Sequence, residues 1–111
     1  MQISTETFGN VLVAHTPDEL TEETASVFLD AFESQIASGH HCVVLQMDKS
    51  EAYDSAGLSA LLDLKDLLTE NGGNLKISGL SGSGRKIFEV TRLDKRFDIF
   101  ESVIDAVASF Q

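Results

Sequence analysis

The stretch CVVLQMDKSEAYDSAGLSALLDLKDLL, residues 42–68, decides the fold of this chain. It begins with an apolar run, Cys42 to Met47, and ends with a leucine-rich segment, 58–68, whose apolar residues recur at helical spacing. A run that is apolar at nearly every position is typical of a strand buried on both faces between parallel neighbours. The stretch therefore predicts a buried strand, a polar turn and a crossover helix.

The turn before the leucine-rich helix carries the most informative residue, Ser55. Its hydroxyl is predicted to lie beside the unpaired N–H groups of the first helical turn, where the helix dipole favours an anion such as phosphate. Serine is also one of the best N-cap residues, so the spacing alone fits a purely capping role at least as well.

The rest of the chain alternates strands with helices. Residues 3–8 and 11–15 read as a hairpin around Gly9-Asn10, and a helix follows from about Thr21 to Gly39. Its apolar residues share one face: Ala25, Phe28, Leu29, Phe32 and Ile36.

After Asn71-Gly72-Gly73 we expect a strand at 75–78, a helix at 83–90, a basic loop at 92–97, an edge strand at 98–100 and a helix at 101–110. Ile87 and Val90 are predicted to point inward from the first of these helices, and Val103, Ile104 and Val107 to share one side of the last. This alternation predicts an α/β fold with crossover helices, in a single domain spanning residues 1–111.

Composition limits the classes of function. The chain has 111 residues and a formal net charge of −10, so nucleic acid and anionic membrane surfaces are disfavoured partners. No apolar run reaches membrane-spanning length and no signal-peptide pattern opens the chain, which predicts a cytoplasmic protein without membrane insertion. A single cysteine excludes an intramolecular disulfide framework.

Other chemical motifs are weak. The glycine-rich loop Gly79 to Gly84 is followed by Arg85-Lys86, but Ile87 stands where a phosphate-binding loop needs its hydroxyl, which makes nucleotide binding a minor alternative. His40, His41 and Cys42 are adjacent and would alternate in direction, and His15 has no recognisable catalytic partner. We therefore predict no enzyme activity, no metal and no cofactor.

Charged residues form two groups. Asp63, Asp66 and Glu70 recur along the polar side of the leucine-rich helix, where they predict a solvated face that could also meet a basic partner. Most of the positive charge lies within twelve positions, at Arg85, Lys86, Arg92, Lys95 and Arg96.

With this order of elements, residues 42–110 resemble the STAS domain of bacterial anti-sigma-factor antagonists. The resemblance is carried by Val43-Val44-Leu45, by Asp54-Ser55-Ala56-Gly57-Leu58, by Gly72 to Ile77 with Gly79-Leu80-Ser81, by Arg85 to Leu93 and by Phe97 to Phe100. It implies a four- to five-stranded mixed sheet with about four helices packed mainly on one face.

The resemblance also implies a function. A cognate anti-sigma factor, often itself a serine kinase, binds the unmodified protein and phosphorylates Ser55; the modified form is released, and a phosphatase resets it. The implied contact segment is Tyr53, Asp54, Ser55, Ala56, Gly57 and Leu58. A STAS accessory subunit of a membrane transporter is the alternative, and the domain is expected to be a monomer or weak dimer.

Three departures from the family pattern stand out. Ala56 replaces a second hydroxyl, so Ser55 is the only phosphoacceptor candidate in the motif. The turn at 48–52 is unusually polar, and Thr16-Pro17-Asp18-Glu19 replaces a glycine–acidic signature, which affects the contacts a partner would make there.

Overall fold

A computed structural model describes residues 4–50, 52–80 and 82–110. The strands are β1 (Thr5–Phe8), β2 (Val11–His15), β3 (Glu19–Leu20), β4 (Cys42–Gln46), β5 (Ala52–Tyr53), β6 (Asn74–Ser78) and β7 (Asp98–Phe100). The helices are α1 (Glu22–Ala37), α2 (Ser55–Glu70), α3 (Gly82–Val90) and α4 (Val103–Ala108), with a short 3-10 turn at Leu93–Lys95.

The main sheet has five strands in the order β1-β2-β4-β6-β7. The hairpin strands β1 and β2 are antiparallel, and all other neighbours in this sheet are parallel. The central strand β4 pairs with a parallel strand on each side, which explains why its sequence is apolar almost throughout. The predicted mixed α/β sheet with about four helices is confirmed.

A second, two-stranded parallel sheet was not predicted from the sequence. It pairs β3 with β5, through Glu19 with Ala52 and Leu20 with Tyr53. Each of its strands leads directly into a long helix, β3 into α1 and β5 into α2. The small sheet therefore sets the N-termini of α1 and α2 side by side at the carboxyl ends of β2 and β4.

The core lies on both faces of the main sheet. On one face, α1, α2 and α3 cover the larger cluster, whose fully buried side chains include Phe28, Phe32, Leu61, Leu64 and Phe88. On the other face, α4 covers a smaller cluster built on Val11, Val13, Val44 and Ala106. Three of the four helices thus share one face, as the resemblance implied.

The predicted inward position of Val90 is wrong, because this residue at the end of α3 is 72% exposed. In α4, Val103 and Val107 pack against the smaller cluster, while Ile104 is 77% exposed. In α3 the buried apolar side chain is Phe88, whose ring lies 5.9 Å from that of Phe97. A nine-residue helix with few apolar residues leaves its orientation to tertiary contacts, and the larger aromatic side chain is the one buried.

No helix in the described ranges is long and apolar enough to cross a membrane.

Candidate functional site

Ser55 is the first residue of α2 and is exposed. Among the described residues its hydroxyl has no hydrogen-bond partner, whereas the helix is capped by the preceding residue. Asp54 is extended (φ −128°) and its carboxylate accepts a 2.9 Å hydrogen bond from the Gly57 N–H. The serine hydroxyl is therefore not needed for capping, and it is accessible to solvent at the positive end of α2.

Asp54 joins the starts of two helices. Its Oδ1 accepts from Gly57 in the first turn of α2, and its Oδ2 accepts a 2.8 Å hydrogen bond from the backbone N–H of Glu22, the first residue of α1. These two N–H donors lower the pKa of the Asp54 carboxyl below its ordinary value, with the Glu22 bond the larger cause. One carboxylate thus holds both helix N-termini beside Ser55.

Gly57 is required by the packing of this turn. A Cβ added to Gly57 would lie 1.8 Å from the carbonyl oxygen of Leu20, at the end of β3. That same carbonyl accepts from the N–H of Asp54 at 3.4 Å. The missing side chain lets the first turn of α2 pack directly against the β3 backbone. The packing of this chain therefore requires glycine at position 57.

A buried hydroxyl pair supports the turn from below. The Ser50 hydroxyl donates to the Pro17 carbonyl at 2.6 Å, which leaves its oxygen to accept from the Thr16 hydroxyl, also at 2.6 Å. The Tyr53 hydroxyl in turn donates to the Ser50 carbonyl at 3.2 Å, and burial raises the pKa of Tyr53. The two segments that depart from the family pattern, 16–19 and 48–52, are therefore bonded to each other.

The six predicted contact residues differ in accessibility. Asp54 and Ser55 are exposed, Tyr53, Ala56 and Leu58 are half-buried, and Gly57 is buried. Tyr53 and Leu58 pack against the larger core cluster. The surface of the motif is thus a carboxylate and a hydroxyl on an apolar base. Sequence reasoning missed the supporting Thr16–Ser50 pair, because nothing in either loop indicates that the two hydroxyls meet.

Two glycines of the glycine-rich loop make contacts within the fold. Gly79 donates its N–H to the Phe100 carbonyl at 3.3 Å, and the Cβ position of Gly84 lies 3.1 Å from both Leu80 and the Tyr53 hydroxyl. Ser81, within the glycine-rich loop, is outside the described residues. In the part of the chain that the structure describes, no three His, Cys, Asp or Glu side chains are placed to hold a metal ion.

The model of the STAS domain matches residues 2–106 of this chain. The chain belongs to the STAS domain family. Its Ser55 turn, its small β3–β5 sheet and its five-stranded main sheet all lie within the matched range. None of the curated proteins matches this STAS domain.

Solved structures share the fold at low sequence identity. An anti-sigma factor antagonist from Mycobacterium paratuberculosis has a TM-score of 0.84 and 22% identity, with 97% of this chain and 92% of that chain covered. A sulfate transporter family protein from Wolinella succinogenes has a TM-score of 0.80 and 17% identity, with 94% and 87% covered. The Bacillus cell fate determinant SpoIIAA in its phosphorylated form has a TM-score of 0.73 and 16% identity, with 99% and 100% covered.

Proposed function

We propose that this STAS domain is a non-enzymatic phospho-switch of the anti-sigma-factor antagonist type. Unmodified, it binds a cognate anti-sigma factor that is also a serine kinase; phosphorylation of Ser55 releases that partner, and a phosphatase restores binding. The observation that carries the proposal is the exposed Ser55 hydroxyl at the first residue of α2, beside a carboxylate that already caps the helix. Solved structures of the same fold include an anti-sigma factor antagonist and a phosphorylated protein.

The Asp54 carboxylate explains why a phosphate on Ser55 would act strongly. A phosphate adds about −1.5 to −2 charges, and a free helix N-terminus would stabilise it. Here Asp54 already accepts the N–H of Gly57 and adds its own negative charge next to the modified hydroxyl. In a docked interface the phosphate meets this like charge and a desolvation cost, and every ~1.4 kcal/mol lost lowers affinity tenfold.

The same turn supports a different use, in a STAS accessory subunit of a transporter. In that case the Tyr53–Leu58 segment is a constitutive contact on the cytoplasmic side of a membrane complex, and Ser55 is never modified. This alternative is supported by the similar fold of the sulfate transporter family protein from Wolinella succinogenes. Nucleotide binding by the loop at 79–84 is a weaker alternative, because the Gly79 amide is already bonded within the sheet.

Mass spectrometry separates these functions. The protein is incubated with host lysate and ATP, weighed and mapped; we expect one added phosphate on Ser55. The matched control is Ser59→Ala, an exposed serine one turn further along α2, which should leave the phosphate gain unchanged. An unchanged mass together with a stable membrane complex would support the transporter subunit, and thermal stabilisation by nucleotide would support the nucleotide binder.

Binding to a partner purified from the same host lysate gives the second test. We expect Ser55→Ala to bind as wild type does, and Ser55→Asp to bind at least about tenfold more weakly because it places a second carboxylate beside Asp54. Both substitutions change an exposed position that makes no capping bond, so both variants should fold. Equal affinity of the two variants would contradict the switch.

A further inference from the structure

A groove between α1 and α2 combines an apolar floor with an acidic rim. Leu29 of α1 and Leu67 of α2 contribute apolar surface, and Leu67 is 37% exposed. The rim carries four exposed carboxylates, from Glu33, Asp63, Asp66 and Glu70. The groove has a volume of about 280 Å³.

The carboxylates of this groove have no cation of their own. Helix α1 contains four acidic and no basic residues, and the only basic residue of α2 is Lys65. Lys65 is turned to the other side of α2, where its Nζ donates to Asn74 Oδ1 at 2.9 Å and lies 5.8 Å from the Phe97 ring centroid. Within residues 4–50, 52–80 and 82–110, the rim carboxylates form no ion pair.

The arrangement of the rim argues against a metal ion and favours a cationic helix. Among the described residues, these carboxylates do not converge on one point as the ligands of a metal ion would. Asp63, Asp66 and Glu70 instead follow one another at i, i+3 and i+7, which spreads them over ~10 Å of helix axis. Lysine or arginine residues at the same spacing on a partner helix would face them, while its apolar residues fill the floor between the two leucines.

We propose that the α1–α2 groove docks a basic amphipathic helix of a protein partner. The proposal does not depend on the Ser55 switch, because the rim begins eight residues along α2 from Ser55, or ~12 Å. Charge complementarity commits the groove to this occupant: a second copy of the chain would bring a net charge of −10 with it. Nucleic acid and anionic membranes are disfavoured there for the same reason.

A synthetic peptide serves as the probe. It has about four helical turns, with lysines on one face at i, i+3 and i+7 and leucines beside them; a scrambled peptide of equal composition controls for net charge. We expect the amphipathic peptide to bind more tightly, to shift amide NMR signals along α1 and α2, and to lose affinity near 1 M salt, where the Debye length is about 3 Å.

Charge-matched variants decide the location. The groove variant, Asp63→Asn with Asp66→Asn and Glu70→Gln, should bind the peptide about tenfold more weakly. The control variant neutralises three exposed carboxylates elsewhere: Glu89→Gln, Asp98→Asn and Glu101→Gln. Equal weakening by the two variants would show only general electrostatic attraction and would overturn the proposal, as would NMR shifts confined to other elements.

The floor and the switch are tested separately. Leu67→Ala should weaken peptide binding several-fold. Val27→Ala, at a comparably exposed position outside the groove, should leave peptide binding unchanged. Ser55→Asp should bind the peptide as wild type does, because docking in the groove does not depend on the state of Ser55. The groove proposal therefore stands or falls independently of the proposed switch. Loss of peptide binding in Ser55→Asp would place the peptide at the turn and contradict the groove.

Discussion

At the scale of single residues, the absence of one side chain fixes how closely α2 approaches β3. The Cβ position of Gly57 is 1.8 Å from the Leu20 carbonyl oxygen. Any side chain at position 57 would therefore force the backbones of α2 and β3 apart. We expect Gly57→Ala to lower the free energy of unfolding by about 3 kcal/mol or more, because overpacking here moves backbone. Urea denaturation measures the change.

Gly72→Ala is the control for Gly57→Ala. Gly72 has φ +85° and nothing within 4 Å of its Cβ position, so alanine there meets backbone strain without a clash. The expected cost is about 1–2 kcal/mol. Similar costs for the two substitutions would mean that α2 shifts easily and that the contact with Leu20 does not position the Ser55 turn.

Asp54 gives this turn a dependence on pH. Its pKa is lowered in the folded protein by the N–H groups of Glu22 and Gly57, so its contribution to stability is fully present above the ordinary value of 3.8. As pH falls through the lower folded value, the carboxyl is protonated and that contribution is lost. We therefore expect wild type to exceed Asp54→Ala in stability at neutral pH, and the difference to shrink as pH falls below the ordinary pKa of the carboxyl.

Denaturation midpoints of the two proteins, measured across that pH range, test the role of Asp54. Ser102→Ala is the control, because Ser102 caps α4 by accepting from the Asp105 N–H with an uncharged hydroxyl. Its stability deficit should not change as Asp54 titrates. A deficit of Asp54→Ala that stays constant down to low pH would show that the carboxylate charge contributes nothing to holding the two helix N-termini together.

At the scale of elements, periodicity predicted what local sequence determines. The hairpin, the two long helices and the apolar central strand follow from spacing and turn residues, and the structure confirms each. The two-residue strands β3 and β5 are too short to carry a period, so only the tertiary fold reveals them. The residue type of Ser55 fits an N-cap, whereas α2 begins at Ser55 itself and the extended residue before it, Asp54, is the cap.

Helix α3 shows how a short element defeats a pattern. Its apolar positions 87, 88 and 90 fit more than one inward face, and packing against Phe97 selects Phe88. We expect Phe88→Ala to destabilise by about 3–5 kcal/mol, because it empties a fully buried site. Val90→Ala, at a position 72% exposed, should cost well under 1 kcal/mol. Urea denaturation measures both losses. Comparable losses in Phe88→Ala and Val90→Ala would show that Val90 is packed inward after all.

At the scale of the whole molecule, charge is unevenly distributed. Helices α1 and α2 carry seven acidic residues and one lysine, whereas five of the eight basic residues lie between positions 85 and 96. The acidic helices lie next to each other, so their carboxylates repel in the folded state more than in the extended chain. This arrangement costs stability and provides a surface for a cationic partner.

The cost of that charge distribution is measurable through salt. Asp66 and Glu70 are four residues apart on α2, Asp63 is three before Asp66, and like charges at such spacings destabilise by about 0.2–0.5 kcal/mol per pair. The groove variant should therefore be more stable than wild type at low ionic strength, by about 0.4–1 kcal/mol for the two pairs. Because salt screens exposed charges, the two proteins should converge near 1 M sodium chloride. The variant neutralised at 89, 98 and 101 should gain less at low salt, since Glu89 lies on α3, Asp98 on β7 and Glu101 in the turn after β7, and the three do not follow one another along a single helix. Equal gains in the two variants would show that the cost comes from net charge alone and not from repulsion between the carboxylates on the α1–α2 surface.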